Sequence, residues 1–194
     1  KTRLAARLGA EPAARVYAAL LARALALLAA WPGPRVLACA GAADVDYFRG
    51  LSLCRDCTIA VQVEGDLGVR MASALREALR LAPRALLMGS DLLDVEAADL
   101  AAGAEHLAAG AEVVLGPAAD GGYWLVGLTR AVDALFAGMP WSTPSVLALT
   151  RERCGALGLA LQELALRHDL DEPGERAEYV TLLAAGQPAL PLKP

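Results

Sequence analysis

Aromatic residues are scarce, at 5% of the chain, and cysteine is scarcer. Four cysteines in 194 residues do not make a disulfide scaffold, and a chain of this length buries enough apolar surface to fold without one. Cys54 and Cys57 form a C-x-x-C, yet no second pair follows, and His106 and His168 are the only histidines. The pair is therefore read as neither a zinc site nor a redox centre. Cys39, in the apolar stretch RVLACA, reads as a small buried hydrophobe, and the cysteine usage as a whole points to a reducing compartment, the cytoplasm. No long Lys/Arg cluster occurs and the net charge is -4, which excludes a surface built to neutralise nucleic-acid phosphates. Small phosphate-bearing ligands stay open. Long apolar runs are missing too: the longest, Val16 to Trp31, is broken by Arg23 and reads as too short and too charged to span a bilayer.

What is present alternates. Apolar residues at helical spacing run from Glu11 to Trp31, with Pro12 in the first turn and Pro-Gly-Pro stopping the run at 32–34. Strand-like RVLACA (35–40) and TIAVQV (58–63) follow. Next come an amphipathic helix LGVRMASALREALRL (67–81), a strand RALLMGS (84–90) and a helix VEAADLAAGAEHLAAG (95–110). The pair EVVLGP (112–117) and YWLVGL (123–128), joined by a short connection, predicts an antiparallel excursion from a mostly parallel sheet. Helices over 144–158 and 173–186 flank a strand at 160–165, and the tail from about residue 187 is Pro-rich. The alternation means an α/β fold, and residues 1–194 show no repeat or linker that would divide them, so a single domain is expected.

Open α/β sheets bind ligands beyond the carboxyl ends of their strands, and three carboxylate clusters fall there. In MGSDLLD, Asp91 stands just past a strand, where a hard divalent cation prefers oxygen donors, and Asp94 is equally suited to capping the next helix. In GPAADGGYWLVGL, Gly121 and Gly122 allow a sharp turn and close approach of a ligand, and Asp120 is placed to accept a proton from a hydroxyl. A plain hairpin turn accounts for Asp-Gly equally well. Tyr123 and Trp124, adjacent on a strand, point to opposite faces, so one of them at most lines a site. In RHDLDEPGE, capping explains Glu172 and Glu175 but not Asp169, which shares a face with Asp171, and His168 reads as a solvated or satisfied histidine. Lys1 and Arg3 bracket Thr2 ahead of a helix as a phosphate clamp, and Arg70 falls in the first turn of another, where anions are favoured.

In order, KTRLAARLG, GDLGVRM, LLMGSDLLD, VVLGPAADGGYWLVGL, FAGMPWST and HDLDEPGE resemble the successive motifs of a bacterial family of glycosyltransferase-like proteins formerly of unknown function (DUF2064), some assigned to arsenosugar biosynthesis. The resemblance spans nearly the whole chain. It implies a Rossmann-like GT-A nucleotide-diphospho-sugar transferase fold, with a mostly parallel central sheet flanked by helices. It further implies that Lys1 and Arg3 meet nucleotide phosphates, that Asp91 holds a divalent cation (Mg²⁺ or Mn²⁺) with Asp169 and Asp171 completing the site, and that Asp120 with Gly121 and Gly122 faces the acceptor or sugar. Trp141, Ser142 and Thr143 match the family's tryptophan motif, where Trp141 packs under the site or contacts the substrate. The chain departs from the family pattern at Leu92 and Leu93, where Cys-Pro is usual, and at Glu172, where Thr is usual. Relatives also begin with a strand and a Pro-Gly-x-Val loop ahead of Lys-Thr-Arg, so the resemblance implies that a first strand is missing here.

The expected activity is metal-dependent transfer from a nucleoside diphosphate sugar to a small-molecule acceptor. The alternatives are nucleotidyl transfer from a nucleoside triphosphate, and nucleotide binding without catalysis on the same fold.

Overall fold

The computed structural model describes residues 9–167. Helix α1 (Ala10–Ala30) buries Ala13, Val16, Leu20, Ala22 and Leu25 and stops where the Pro-Gly-Pro segment removes backbone donors. It begins earlier than the apolar run read from the sequence. With 21 residues and a mean hydropathy of 1.6 it is long and apolar enough, by length and composition, to cross a membrane. The reading of that run as too short to span is corrected accordingly, although the buried face of α1 packs as a core helix does.

Strands β1 (Val36–Cys39) and β2 (Thr58–Val61) pair in parallel, Val36 with Thr58 and Cys39 with Val61. Between them lie α2 (Ala42–Arg49) and a 3-10 turn, Ser52–Cys54. The second sheet has the order β3 (Ala85–Met88), β5 (Tyr123–Leu128), β4 (Val113–Pro117), β6 (Leu161–Glu163). Here β5 runs antiparallel to both neighbours, while β4 and β6 are parallel. The antiparallel excursion therefore sits inside the sheet, not at its edge, and two of its ladders are antiparallel. Among the described residues the expected single, mostly parallel sheet is two sheets, with β1 and β3 each paired on one side only.

Helices α3 (Leu67–Leu81), α4 (Ala97–Ala108) and α5 (Val146–Ala156) cover the larger sheet. On one face Leu75 of α3 and Leu147 and Cys154 of α5 pack against Val113, Leu115, Val126 and Leu128. On the other, Leu100 and Leu107 of α4 meet Val114, Trp124 and Leu125, with Leu27 of α1 and Trp31 just past its end alongside. The same α1 packs its Leu25 against Cys54 near β1 and β2, so one helix spans both sheets. Each such buried Leu or Val contributes roughly 1.5–3 kcal/mol of transfer free energy.

Strict alternation along β5 would put Tyr123 with Leu125. Instead the register shifts between Gly116 and Pro117, which pair with Leu125 and Tyr123, leaving Trp124 as the extra residue of a bulge. Trp124 and Leu125 thus share one face, and Tyr123 turns to the other with Val126. Gly116 makes this possible, since a Cβ there would come 2.7 Å from Trp124 Cζ2.

Candidate active site at the carboxyl edge

The loop after β3, the turn between β4 and β5 and the segment after β6 meet at one edge. The Gly89 N–H donates to the Trp124 carbonyl at 3.1 Å, and the Trp124 indole N–H donates to the Ala165 carbonyl at 3.3 Å. Trp124 therefore joins all three and is buried in doing so.

Asp91 is half-buried just past β3. Gly89 leaves room for its carboxylate to fold back, with Oδ1 3.0 Å from where a Gly89 Cβ would stand. Asp94 is not the cap of α4. That position belongs to Glu96, whose N–H donates to Asp99 Oδ2 at 2.8 Å, and Asp94 instead faces Arg167, Nη1 to Oδ2, at 3.9 Å.

In the 118–122 turn the Gly121 N–H donates to the Ala118 carbonyl at 3.1 Å, and the Gly122 N–H donates to Asp120 Oδ1 at 2.8 Å. Asp120 is exposed at the tip. Gly121 has φ 87°, open to glycine at no steric cost, and its carbonyl accepts from the Leu147 N–H at 2.8 Å, tying the start of α5 to the turn.

Tyr123 and Trp141 meet edge to face, centroids 6.5 Å apart. Trp141 Nε1 is buried with no hydrogen-bond partner among the described residues, and burial pushes the Tyr123 phenol well up against a smaller opposing effect of the nearby Thr150 hydroxyl. Trp141 lies against Gly68 in the first turn of α3. That turn is capped by Asp66, whose Oδ1 accepts from the Val69 N–H at 2.9 Å, and Arg70 folds back to donate to the Gly65 carbonyl at 3.0 Å. An anion at this helix start would meet the Asp66 carboxylate as well as the helix dipole. Beside the turn, Ser142 holds the left-handed conformation (φ 64°), uncommon for a residue with a side chain and costly to maintain.

The structure thus brings Asp91, Asp120, Gly121, Gly122, Tyr123 and Trp141 to one region, with Arg70 on the helix that Trp141 touches. Lys1, Arg3, His168, Asp169 and Asp171 lie outside the described residues. Among the described residues no group of three or more His, Cys, Asp or Glu side chains is arranged to hold a metal ion; two of the three expected ligands fall beyond them. Sequence reasoning missed Arg167, Asp99 and Gly68. Arg167 stands directly before the late acidic motif and Gly68 inside GDLG, but their partners are far away in sequence. Away from this edge, burial raises the Cys54 and Cys57 thiols, which keeps them protonated and weakly nucleophilic.

Strands flanked by helices, with carboxylates and a glycine turn at the carboxyl edge, define a mixed α/β protein. Among solved structures, a "putative nucleotide-diphospho-sugar transferase" from Desulfovibrio desulfuricans G20 superposes with a TM-score of 0.82 at 25% identity, over 97% of this chain and 89% of that one. Residues 21–143 match the family described as "Uncharacterized protein conserved in bacteria" (DUF2064), and the chain belongs to that family. No curated protein matches it significantly.

Proposed function

We propose that the protein is a metal-dependent glycosyltransferase that moves a sugar from a nucleoside diphosphate sugar to a small-molecule acceptor. One observation carries the reading: the chain shares its fold, at a TM-score of 0.82, with a protein described as a "putative nucleotide-diphospho-sugar transferase", and it sets Asp91 and Asp120 at the edge where α/β sheets receive ligands. The half-buried Asp91 carboxylate, with Asp169 and Asp171 as companions, fits Mg²⁺ or Mn²⁺, which take oxygen ligands and keep waters and phosphate oxygens besides. Such a cation, when bound, neutralises charge on the departing diphosphate. Asp120, oriented by the Gly122 N–H, accepts the proton of the acceptor hydroxyl. Gly121 and Gly122 keep side chains away from that approach, Tyr123 and Trp141 support the turn from below, and Lys1, Arg3 and Arg70 meet the phosphates. The four cysteines are free thiols, in keeping with a cytoplasmic enzyme.

A thermal-shift panel of nucleoside diphosphate sugars and nucleoside triphosphates, with and without Mg²⁺ or Mn²⁺, identifies the donor, because a ligand of the native state raises Tm by mass action. Turnover that releases nucleoside diphosphate supports the reading. Release of pyrophosphate replaces it with nucleotidyl transfer, and binding without turnover replaces it with a nucleotide-binding role.

A further inference from the structure

Strand β2 has one side to spare. Thr58 and Gln62 donate their N–H groups to the Arg35 and Cys39 carbonyls, at 2.9 and 2.8 Å, so alternate residues of the strand face β1 and the backbone groups of Ile59 and Val61 face away from it. Among the described residues no strand pairs with that outer side. What borders it is apolar and open to solvent: Val61 is 46% exposed and Val63 43%, and Leu67 and Val69 are exposed where the chain enters α3. The other strands paired on one side only are different. Neither β1 nor β3 holds an exposed residue, and β6 carries Gln162 and Glu163, with Glu163 tied to Arg151. Sheltered or charged edges deter pairing, whereas an exposed apolar edge invites it.

The two ends of this edge differ in charge. Beside the amino end of β2 lies a cavity of about 580 Å³ whose lining includes Arg49, Ser52, Arg55, Thr58 and Ile59 and contains no acidic residue. Arg49 meets Asp46 at 3.4 Å with both side chains mostly exposed, and Asp56 is turned to Arg35 at 3.6 Å. Past the carboxyl end the exposed acids are Glu64 and Asp66, and Asp66 is committed to capping α3. A strand with arginines at one end and a carboxylate at the other matches a copy of itself running the opposite way, because a two-fold axis brings each end to its complement.

We infer that β2 is the pairing edge for a second copy of this chain. The two β2 strands lie antiparallel across a two-fold axis near Val61 and exchange N–H···O=C bonds there, with Val61 and Val63 of each copy covered by Val61 and Ile59 of the other. Glu64 of each copy reaches the Arg49 and Arg55 cavity of its partner. The apolar contact supplies the affinity, and the exposed ion pairs set direction and register. None of these residues belongs to the proposed transfer site.

Sedimentation equilibrium of the full chain over a concentration series measures the association, and hydrogen exchange maps it. The wild type should reach twice the chain mass, with exchange at 59–63 slowing as concentration rises. Val61→Lys puts a charge on the edge and should weaken association by about tenfold or more. Glu64→Arg should weaken it by about fivefold at low salt and less at high salt, and adding Arg49→Glu and Arg55→Glu to Glu64→Arg should recover the loss. All four positions are exposed, and far-UV circular dichroism with Tm shows that each variant is folded. A chain that stays monomeric at every concentration overturns the inference. A dimer that Val61→Lys leaves intact, or one whose formation leaves exchange at 59–63 unchanged, overturns it as well, since its interface then lies on another surface.

Discussion

Gly121 lies directly against the Pro144 backbone: a Cβ at position 121 would come within 2.6 Å of Pro144 Cα and closer still to the Pro144 carbonyl oxygen. The same glycine has φ 87°, so an alanine there meets both a backbone penalty and a wall that cannot rotate away. Gly121→Ala should cost at least about 2 kcal/mol in urea denaturation. Gly122 behaves differently, because its added Cβ would meet only Asp120 Oδ1, at 3.1 Å, and a side-chain oxygen can move. Gly122→Ala should therefore leave stability within about 1 kcal/mol while displacing the carboxylate. Equal losses from the two substitutions would contradict this division between architecture and site.

Asp120→Asn separates a turn from a catalytic base. The Asn side chain keeps an oxygen that can accept the Gly122 N–H, now at 2.8 Å, and Asn-Gly suits tight turns as well as Asp-Gly. Tm and donor binding should stay at their wild-type values. Transfer should slow by roughly a hundredfold, the scale of a positioned acid or base. Wild-type turnover, measured on the donor found in the thermal-shift panel, would reduce Asp120 to a turn residue.

Acid should loosen β6 from the sheet. Arg151 of α5 donates to both oxygens of Glu163, at 2.6 and 2.8 Å, and holds that carboxyl below its usual range. Glu112 is likewise lowered, first by the Ala160 N–H and then by Arg130. A folded pKa below the unfolded value stabilises the protein above the unfolded value and loses that contribution as pH falls through the folded one. The two carboxylates therefore support β6 above about pH 4.3 and release it at lower pH. Urea midpoints of the wild type should fall in that lower range, and Glu112→Gln/Glu163→Gln should flatten the fall. An unaltered pH profile in the double variant would assign acid sensitivity to other groups.

Local rules read the elements well where a cap and a period coincide. Asp66 caps α3 and its apolar spacing carries through to Leu81, so the helix over 67–81 is legible in full. Helix α2 is not, because it is short and buries none of its residues, leaving no apolar period to find. The carboxyl-edge rule put Asp91 and Asp120 just past strand ends, and that is where they stand. It could not distribute the remaining acids, since Asp94 is explained by Arg167, 73 positions on by their numbers, not by the helix it precedes. The bulge at Trp124 was hidden for the same reason: it needs an indole lying across a glycine of the neighbouring strand.

Gly68 offers a prediction whose sign runs against helix propensity. It sits in the first turn of α3, where replacing glycine by alanine ordinarily gains up to about 1 kcal/mol. Here the new Cβ would stand 2.6 Å from the Phe136 carbonyl oxygen and 2.9 Å from both Cζ2 and Nε1 of Trp141. The carbonyl is backbone, so the helix or the 136–141 segment must move, and Trp141 carries that movement to Tyr123 through their edge-to-face contact. Overpacking of this kind costs about 1–3 kcal/mol, which outweighs the propensity gain. Gly68→Ala should therefore lower the urea midpoint and shift the Trp141 emission, assigned by comparison with Trp141→Phe. A stabilised protein with unchanged emission would mean that α3 is free to move off Trp141, and that the indole is not what holds this helix to the glycine turn.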